Sequence, residues 1–564
     1  TKTQTLNFLL EDRVKFATVS GILTTKPNVL RLVDRYYPDI ELITTKSYQV
    51  KPNKGNREPI IVEHDTGCFG NAVGLKNPGL EKGYEELKTL RETHDFRSYL
   101  NVSLSADSID GFIVLIDRFQ DVADILELNF SCPHAAQGFG ASIGADKDVV
   151  AEYMKQVRKA TDALLFPKLT PNIDNIGEIA RAAMDNGADG IAAINTVGPI
   201  VFVEPHTGKP VLYNPKGHKG GKSGEWITEI AVGKIKDIRE AIGQGIPIIG
   251  MGGITRAHDV RRMREAGANV IGLGSVLARV KHEDRAEFVA SLKHDVECDT
   301  HRAERFISNE RLMEYKPYKI QKINDVNERL RVISLKGRID FDPGEFVFLW
   351  IPDVGEKPFS IAHNNPLTFI VRKKGEFTQA VFDLHQGQEL MIRGVYGAAA
   401  PGACKKNVYV VAGGTGIAVV PKLIETLHEH GKNIVVYYGV SCEEEAVFKE
   451  RIERFAHYIP VADDSAIGRV LRIMYEDLHK KDLRDSCFYN IGPEPLMKKA
   501  MDLQVKMGID PHDIYASIET NNMCGVGLCG ECECGGRLTC QEGTFFSLSY
   551  LEMKNIDIMD LKHD

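Results

Sequence analysis

Four cysteines near the carboxyl end, Cys524, Cys529, Cys532 and Cys540, follow a C-x4-C-x2-C-x7-C spacing. The first three fall within nine residues, so one tight loop can present three thiolates to an inorganic core. A C-x4-C-x2-C run followed by a more distant cysteine is the pattern of plant-type 2Fe–2S sites. Gly525, Gly527 and Gly530 separate the ligands, where the chain must bend closely and adopt positive φ. Zinc is the rival reading. It usually takes paired C-x2-C units, and only Cys529 and Cys532 have that spacing. Cys534 is an additional thiol, either a bystander or an alternative ligand. A 2Fe–2S centre implies electrons moved one at a time, so the remainder of the chain must supply a donor and an acceptor.

The elements that would do so come in two textures. Up to about residue 300, short apolar runs alternate with amphipathic stretches. The runs are 16–22, 41–47, 99–105, 125–131, 165–171, 190–197, 246–253 and 270–276, and the amphipathic stretches include 148–163 and 176–188. Alternation of this kind implies parallel βαβ units, and eight of them imply a closed (β/α)8 TIM barrel of about 250 residues. Such a barrel carries its chemistry at the carboxyl ends of its strands. Lys46, Asn129, Cys132, Lys168, Asn195, Thr196, Gly252 and Ser275 all follow apolar runs. Taken singly, each has a structural explanation: a loop-capping asparagine, a solvated lysine, a core thiol. Their recurrence at so many strand ends points to a site. Runs seven and eight end in GMGGIT and GLGSV, and exposed backbone N–H groups after those strands commonly hold a phosphate. Glycine turns without a ligand are the structural alternative.

Residues 298–312 are polar and read as a linker or interdomain helix. A β-rich stretch follows, with strands expected within 318–335, 345–352, 359–365 and 367–374, read as an antiparallel β-barrel. Residues 407–440 then run strand, glycine turn, amphipathic helix, strand, a βαβ nucleotide-binding opening whose GGTGIA is an incomplete G-x-G-x-x-G. The expected domains are 1–300, 313–405, 406–505 and 506–564. A chain of 564 residues with 43% apolar and 26% charged content is an ordinary multidomain globular protein. A net charge of −8 argues against nucleic acid or an anionic membrane as partner. No apolar stretch approaches the ~20 residues needed to span a bilayer, and the first residues lack a secretory pattern. Cysteines scattered singly outside the terminal group read as reduced thiols. A cytoplasmic location is expected.

At this point the first half resembles a known family. ITTKS (43–47), GLKNPG (74–79), ELNFSCPH (127–134), PKLTPN (167–172), INT (194–196), GGKSG (220–224) and IIGMGG (248–253) look like dihydroorotate dehydrogenase of the class with FMN in a barrel and a cysteine base. The resemblance implies that dihydroorotate loses a C5 proton to Cys132 and a C6 hydride to FMN. It implies that Asn71, Asn129, Asn195 and Thr196 bind the pyrimidine, assisted by Lys46, Gly74 and Leu75. Lys46 and Lys168 would lie near the flavin ring, with Ser20, Gly21, Asn101, Asn129 and Gly224 also at FMN. Gly252, Gly253, Gly274 and Ser275 would hold its phosphate. Two segments depart from the family pattern: 50–74, with His64, Asp65 and Cys68, and 135–146. Cys68 is a second candidate base. Dihydropyrimidine dehydrogenases share a related barrel, so another pyrimidine substrate stays open, as does an electron-transfer role serving a protein carrier.

The second half resembles the ferredoxin–NADP reductase family. Lys357, Pro358, Phe359 and Ser360, the Gly375–Thr378 turn and Gly397 would bind FAD, with Lys357 where that family usually has arginine. Gly413, Gly414 and Gly416, with NIGPEP (490–495), would line the nicotinamide nucleotide. With the cysteine group appended, this half most resembles the electron-transfer subunit of NAD-dependent dihydroorotate dehydrogenases, here fused to the catalytic part. The implied path is FMN to 2Fe–2S to FAD to NAD, in a homo-oligomer. Asp463 and Asp464, with no arginine pair near 441–443, lean to NADH.

Overall fold

Strands buried on both faces must be apolar throughout, and the eight runs of the first half fold in that way. The computed structural model describes residues 1–130, 143–462 and 466–561. They form two units, one of Thr1–Met313 with Val526–Glu531, the other of Glu314–Gly525 with the residues from Cys532 onward.

In the first unit the strands are β1 (Phe16–Thr18), β2 (Ile40–Thr44), β3 (Tyr99–Leu104), β4 (Ile125–Asn129), β5 (Leu165–Leu169), β6 (Ile191–Ala193), β7 (Ile248–Met251) and β8 (Val270–Leu273). They close into a parallel barrel in sequence order, β8 returning to β1. Each expected strand is present but shorter than its apolar run. The first ends before Gly21, whose φ is +88°, and the seventh before Gly252 (φ +134°) and Gly253 (φ +70°). Extended pairing cannot continue through such residues. Helix Lys2–Leu10 closes the amino-terminal end with Phe8 and Leu9. Its last carbonyls are capped by buried Lys15, whose Nζ donates to Phe8 O (2.9 Å) and Leu9 O (3.0 Å).

A four-stranded antiparallel sheet, unforeseen in the sequence, rises from the carboxyl-terminal rim. Its order is Ile61–Asp65, Cys68–Asn71, Lys219–Gly224, Val197–Val201. The segment 50–74 that departs from the family pattern supplies its first hairpin, turned at Thr66–Gly67 with Gly67 at φ +74°.

The second unit contains a six-stranded antiparallel sheet, ordered Gly355–Ser360, Phe346–Ile351, Glu389–Tyr396, Lys316–Asp325, Leu330–Leu335, Leu367–Arg372. The strands expected as an antiparallel β-barrel form this sheet, which curls about one core of Ile320, Leu335, Val347, Leu349, Phe369 and Ile392. Just past the first of these strands the chain bridges to the last: the Ala362 N–H donates to Thr368 O (2.9 Å) and the Thr368 N–H to His363 O (2.9 Å). A further six-stranded sheet runs His457–Ala462, Asn433–Val440, Asn407–Gly413, Ser486–Ile491, Ile514–Ser517, Phe545–Ser547, the last antiparallel. Val408, Val410 and Ala412 face one apolar cluster and Tyr409 and Val411 the other, as expected of a sheet with helices on both sides. No described helix is long and apolar enough to cross a membrane.

One half-buried histidine is expected to contribute to the acid limb of this unit's stability. His363 packs edge-on against Phe448 at 5.5 Å. Burial, reinforced by the nearby Arg451 charge, pushes its imidazole down from 6.5 to about 4. The unfolded chain then binds a proton that the folded form refuses. Stability is therefore complete above pH 6.5 and falls as pH drops from there toward 4. His363→Gln is expected to flatten this acid limb, read by Trp350 fluorescence in a Trp226→Phe background. An unchanged slope in the variant would rule the histidine out.

Candidate active site and cysteine centre

Because side chains alternate along a strand, the barrel interior can be read in layers. Ala17, Leu42, Ile125, Phe166, Ala192, Ile249 and Val270 share the apolar layer at its base. Two residues further along the same strands come Thr44, Glu127 and Lys168, and Asn101 follows Tyr99 in the same way. Here the interior turns polar. Lys168 Nζ lies 3.9 Å from Glu127 Oε1, with side-chain exposures of 7% and 0%. Asn101 Nδ2 donates to Thr44 Oγ1 (3.1 Å) and Glu127 Oε2 (3.2 Å). Asn101 Oδ1 and Glu127 Oε1 are buried yet accept no hydrogen bond among the described residues. Buried acceptors without donors are costly, and a ligand carrying ring N–H groups would satisfy them.

One more step along the strands leads to Asn129 on β4, which stands opposite Lys168 in register. Its Nδ2 donates to Ser47 Oγ (3.2 Å), which lies 2.8 Å from Ser103 Oγ and 3.5 Å from Ser20 Oγ. Lys46 is half-buried, and burial pushes its ammonium pKa down, opposed by the carboxylates of Glu531 and Glu86. The residues expected at the flavin thus fall in two polar groups, Asn101 and Lys168 about Glu127 and Asn129 and Ser20 about Ser47, with Asn129 and Lys168 opposite in register. Glu127, Ser47, Ser103 and Thr44 were not anticipated. The one sequence clue to Glu127 is a carboxylate inside an apolar run, two residues before Asn129.

The remaining expected groups occupy the same rim. Gly224 (φ +96°) and Gly253 (φ +70°) approach so closely that a Cβ on Gly253 would lie 2.5 Å from Gly224 O and 3.1 Å from Thr228 N. Helix Thr228–Ile242 begins there, and Gly252 (φ +134°) precedes the contact. Glycine is required here because the two turns and the helix amino end pack backbone against backbone, which brings the helix start next to the Gly252–Gly253 turn. Gly274 and Ser275 follow β8 directly, Ser275 opening a 3-10 turn. Asn71 pairs with Gly221, and Cys68 with Gly224. Gly74 (φ +78°) and Leu75 (φ +58°) turn sharply, their carbonyls held by Asn53 Nδ2 (3.1 Å) and Asn77 Nδ2 (2.8 Å). Asn195 Oδ1 accepts the Thr196 N–H at 2.8 Å, and Asn172 Nδ2 donates to Thr196 O at 3.3 Å. Cys132 lies outside the described residues, as do Asp463 and Asp464. Cys68, the rival base, is poorly suited. Burial pushes its thiol up, and the charges of Asp65 and Glu225 act in the same direction.

Comparison with known proteins bears on this half of the chain. The family model described as dihydroorotate dehydrogenase matches residues 16–288. A protein of Methanopyrus kandleri named dihydroorotate dehydrogenase B (NAD(+)), catalytic subunit, is 36% identical over 255 residues, which are 45% of this chain and 78% of that protein. The chain belongs to the dihydroorotate dehydrogenase family. Two further proteins of the same name agree. That of Pyrococcus abyssi is 38% identical over 258 residues, 46% of this chain and 82% of its own. That of Methanocaldococcus jannaschii is 39% identical over 234 residues, 41% and 74% respectively. The protein is an oxidoreductase, and its barrel is that of a dihydroorotate dehydrogenase.

Beyond that family match, the second unit assembles its own candidate groups. Counted in chain order, its parallel strands lie 3-2-1-4-5, which puts the topological switch point between Asn407–Gly413 and Ser486–Ile491. The expected glycines meet there. A Cβ on Gly416 would lie 2.7 Å from Ile491 O, and one on Gly492 would lie 2.7 Å from Gly413 O. Gly414 (φ +52°) faces open space. Lys357, Pro358, Phe359 and Ser360 form an outer strand of the antiparallel sheet. Phe359 lies 6.0 Å from Phe377, whose helix begins at the Gly375–Thr378 turn, where the Gly375 N–H donates to Thr378 Oγ1 (3.0 Å). The Gly397 N–H donates to Cys540 O (2.8 Å).

Three of the four spaced cysteines converge. The Cys540 thiol hydrogen-bonds with Cys524 and Cys532, and these contacts together with burial hold it far above the usual thiol range. Cys529 belongs to the Val526–Glu531 segment of the first unit. There Leu23 N–H donates to Leu528 O (2.8 Å) and Arg285 Nη1 to Gly527 O (2.8 Å). Gly525, Gly527 and Gly530 all have positive φ, at +79°, +65° and +73°. Cys534 packs in an apolar cluster with Phe546 and Leu551, the environment of a core thiol. No group of three or more His, Cys, Asp or Glu side chains among the described residues stands as a metal site; the thiols bond one another instead. Three convergent buried sulfurs on a loop whose glycines can wrap would suit a thiolate-bound inorganic centre.

Proposed function

We propose that this polypeptide oxidises dihydroorotate to orotate, a step of pyrimidine biosynthesis, with NAD+ as final electron acceptor. The observation that carries the reading is the buried Asn101–Glu127–Lys168 group beneath Asn129, in a barrel of this family. FMN would lie on Ser20, Gly21, Lys46, Asn101, Asn129 and Lys168, its phosphate on Gly224, Gly252, Gly253, Gly274 and Ser275. In the second half the same reading assigns a FAD domain (313–405), a NAD domain (406–505) and a 2Fe–2S domain (506–564).

The chain's own residues would do the following. Cys132 Sγ takes the C5 proton, a task within reach of a thiol of ordinary pKa near 8.5 that its surroundings can tune. Asn71, Asn129, Asn195 and Thr196 offer neutral donors and acceptors that match a uracil-like edge, and a ring leaving them unpaired is rejected. Lys168 holds positive charge under the site and Glu127 keeps it in place. When bound, FMN supplies hydride acceptance, and the cluster and FAD supply one-electron transfer toward NAD+.

Dihydroorotate added under argon is expected to bleach the flavin absorbance, and NAD+ to restore it. Bleaching by dihydrouracil but not dihydroorotate would assign another dihydropyrimidine. NADH-driven reduction of a ferredoxin-like carrier, with no response to either pyrimidine, would make the chain an electron-transfer module.

A further inference from the structure

The most deeply buried charges of the second unit lie against the backbone of a cysteine. Arg393 and Glu356 both have 0% side-chain exposure. They pair through Nε to Oε2 (2.8 Å) and Nη2 to Oε1 (2.6 Å), and the Tyr315 hydroxyl also donates to Glu356. The remaining guanidinium N–H groups go to Tyr396 Oη (2.9 Å), Cys524 O (2.9 Å) and Met523 O (3.3 Å). All five donors of the fork are therefore used, two of them on the chain at the first spaced cysteine. The guanidinium also lies 4.0 Å from the Phe348 ring centre.

The fourth cysteine is held from the same place. Strand Glu389–Tyr396 carries Arg393 and Tyr396, and the next residue, Gly397, donates its N–H to Cys540 O at 2.8 Å. Gly525 lies flat on this support, since a Cβ there would come within 2.9 Å of the Tyr396 ring and 3.0 Å of Phe348. Gln541 Nε2 closes the arrangement by donating to Gly525 O (2.9 Å).

A buried ion pair of this kind is not explained by stability. Apolar replacements of buried pairs are often neutral or stabilising, because removing two charges from water offsets their attraction. Nor is the pair symmetric toward the cysteines: Arg393 touches the Cys524 backbone, whereas Glu356 bonds Arg393 and Tyr315. We infer that Arg393, oriented by Glu356, is a positioning residue that fixes the Cys524 backbone and biases the reduction potential of the cysteine centre. This rests on the 2Fe–2S reading given above. Reduction adds one negative charge to a cluster. A fixed cation at its ligand favours the reduced form, and a carboxylate behind that cation tempers the effect.

The test is an electron paramagnetic resonance titration of the full chain, reconstituted anaerobically with ferrous iron and sulfide and reduced stepwise with dithionite. Glu356→Gln keeps the shape and leaves Arg393 bonded to Cys524, so the midpoint potential should rise. Arg393→Met leaves Glu356 unopposed, so the potential should fall. Each shift should be about tenfold in the reduction equilibrium, which is ~59 mV for one electron. The double variant should return toward wild type. Opposite signs are the mark of charge, since loosening of the loop would move both variants in one direction. If Arg393→Met fails to fold, Glu356→Gln decides alone. An intact 2Fe–2S signal with an unmoved or lowered potential in Glu356→Gln overturns the inference and leaves the cysteine assignment standing. A wild-type chain without any 2Fe–2S signal removes both.

Discussion

Lys168→Ala is expected to cost the barrel about 3–5 kcal/mol and to empty it of flavin, the cost typical of breaking a buried pair from one side. The size of the effect follows from what is left behind. Glu127 is fully buried, its Oε1 accepts no hydrogen bond among the described residues, and Lys168 Nζ faces it at 3.9 Å. Without the ammonium, that carboxylate keeps just the Asn101 amide at 3.2 Å. Trp226 reports on this unit when Trp350 is replaced by Phe, so a denaturant titration of its fluorescence reads the barrel alone. Flavin content is read from absorbance in the same samples. Adding Glu127→Gln removes the stranded charge and should recover most of the stability without recovering flavin reduction. Wild-type stability in Lys168→Ala would mean that Lys168 does not hold Glu127, and the polar layer would need another explanation.

The second large effect separates the two candidate bases. Cys132→Ala should slow flavin reduction by dihydroorotate by about 10²–10⁴-fold, the usual worth of a positioned general base, while substrate affinity changes little. Cys68→Ala should leave the rate unchanged. Cys68 lies in a sheet ladder opposite Gly224, and burial and nearby carboxylates disfavour its thiolate. Single-turnover absorbance under argon measures both variants. A slow Cys68→Ala beside a normal Cys132→Ala would exchange the roles and make the four-stranded sheet part of the chemistry.

Much of the site was legible in the chain before any coordinates. Parallel strands buried on both faces read as uninterrupted apolar runs, so a polar residue ending such a run stands out. Lys168, Asn129 and Asn195 were nominated in this way, and the glycines after β7 and β8 by the backbone N–H groups they would expose to a phosphate. Glu127 was not. It sits inside its run, and only the register of β4 against β5 sets it beside Lys168. The four-stranded sheet was missed because Cys68–Asn71 and Lys219–Gly224 are far apart in sequence, and each is too short and glycine-rich to announce a strand.

The second half divides in the same way. The cysteine spacing and its glycines are local properties of one loop, and they alone nominated an iron–sulfur site. That Cys524 would rest on Arg393, 131 residues earlier, and that Arg393 would be clamped by Glu356, 37 residues before it, could not be read from either neighbourhood. Sequence by itself determined which segments are strands, which loops can wrap a ligand and which family the barrel resembles, because periodicity and ligand spacing act between neighbours in the chain. Only the tertiary structure decided which buried charges face one another, because pairing across strands depends on register and on the exclusion of water, and both arise when the sheets close.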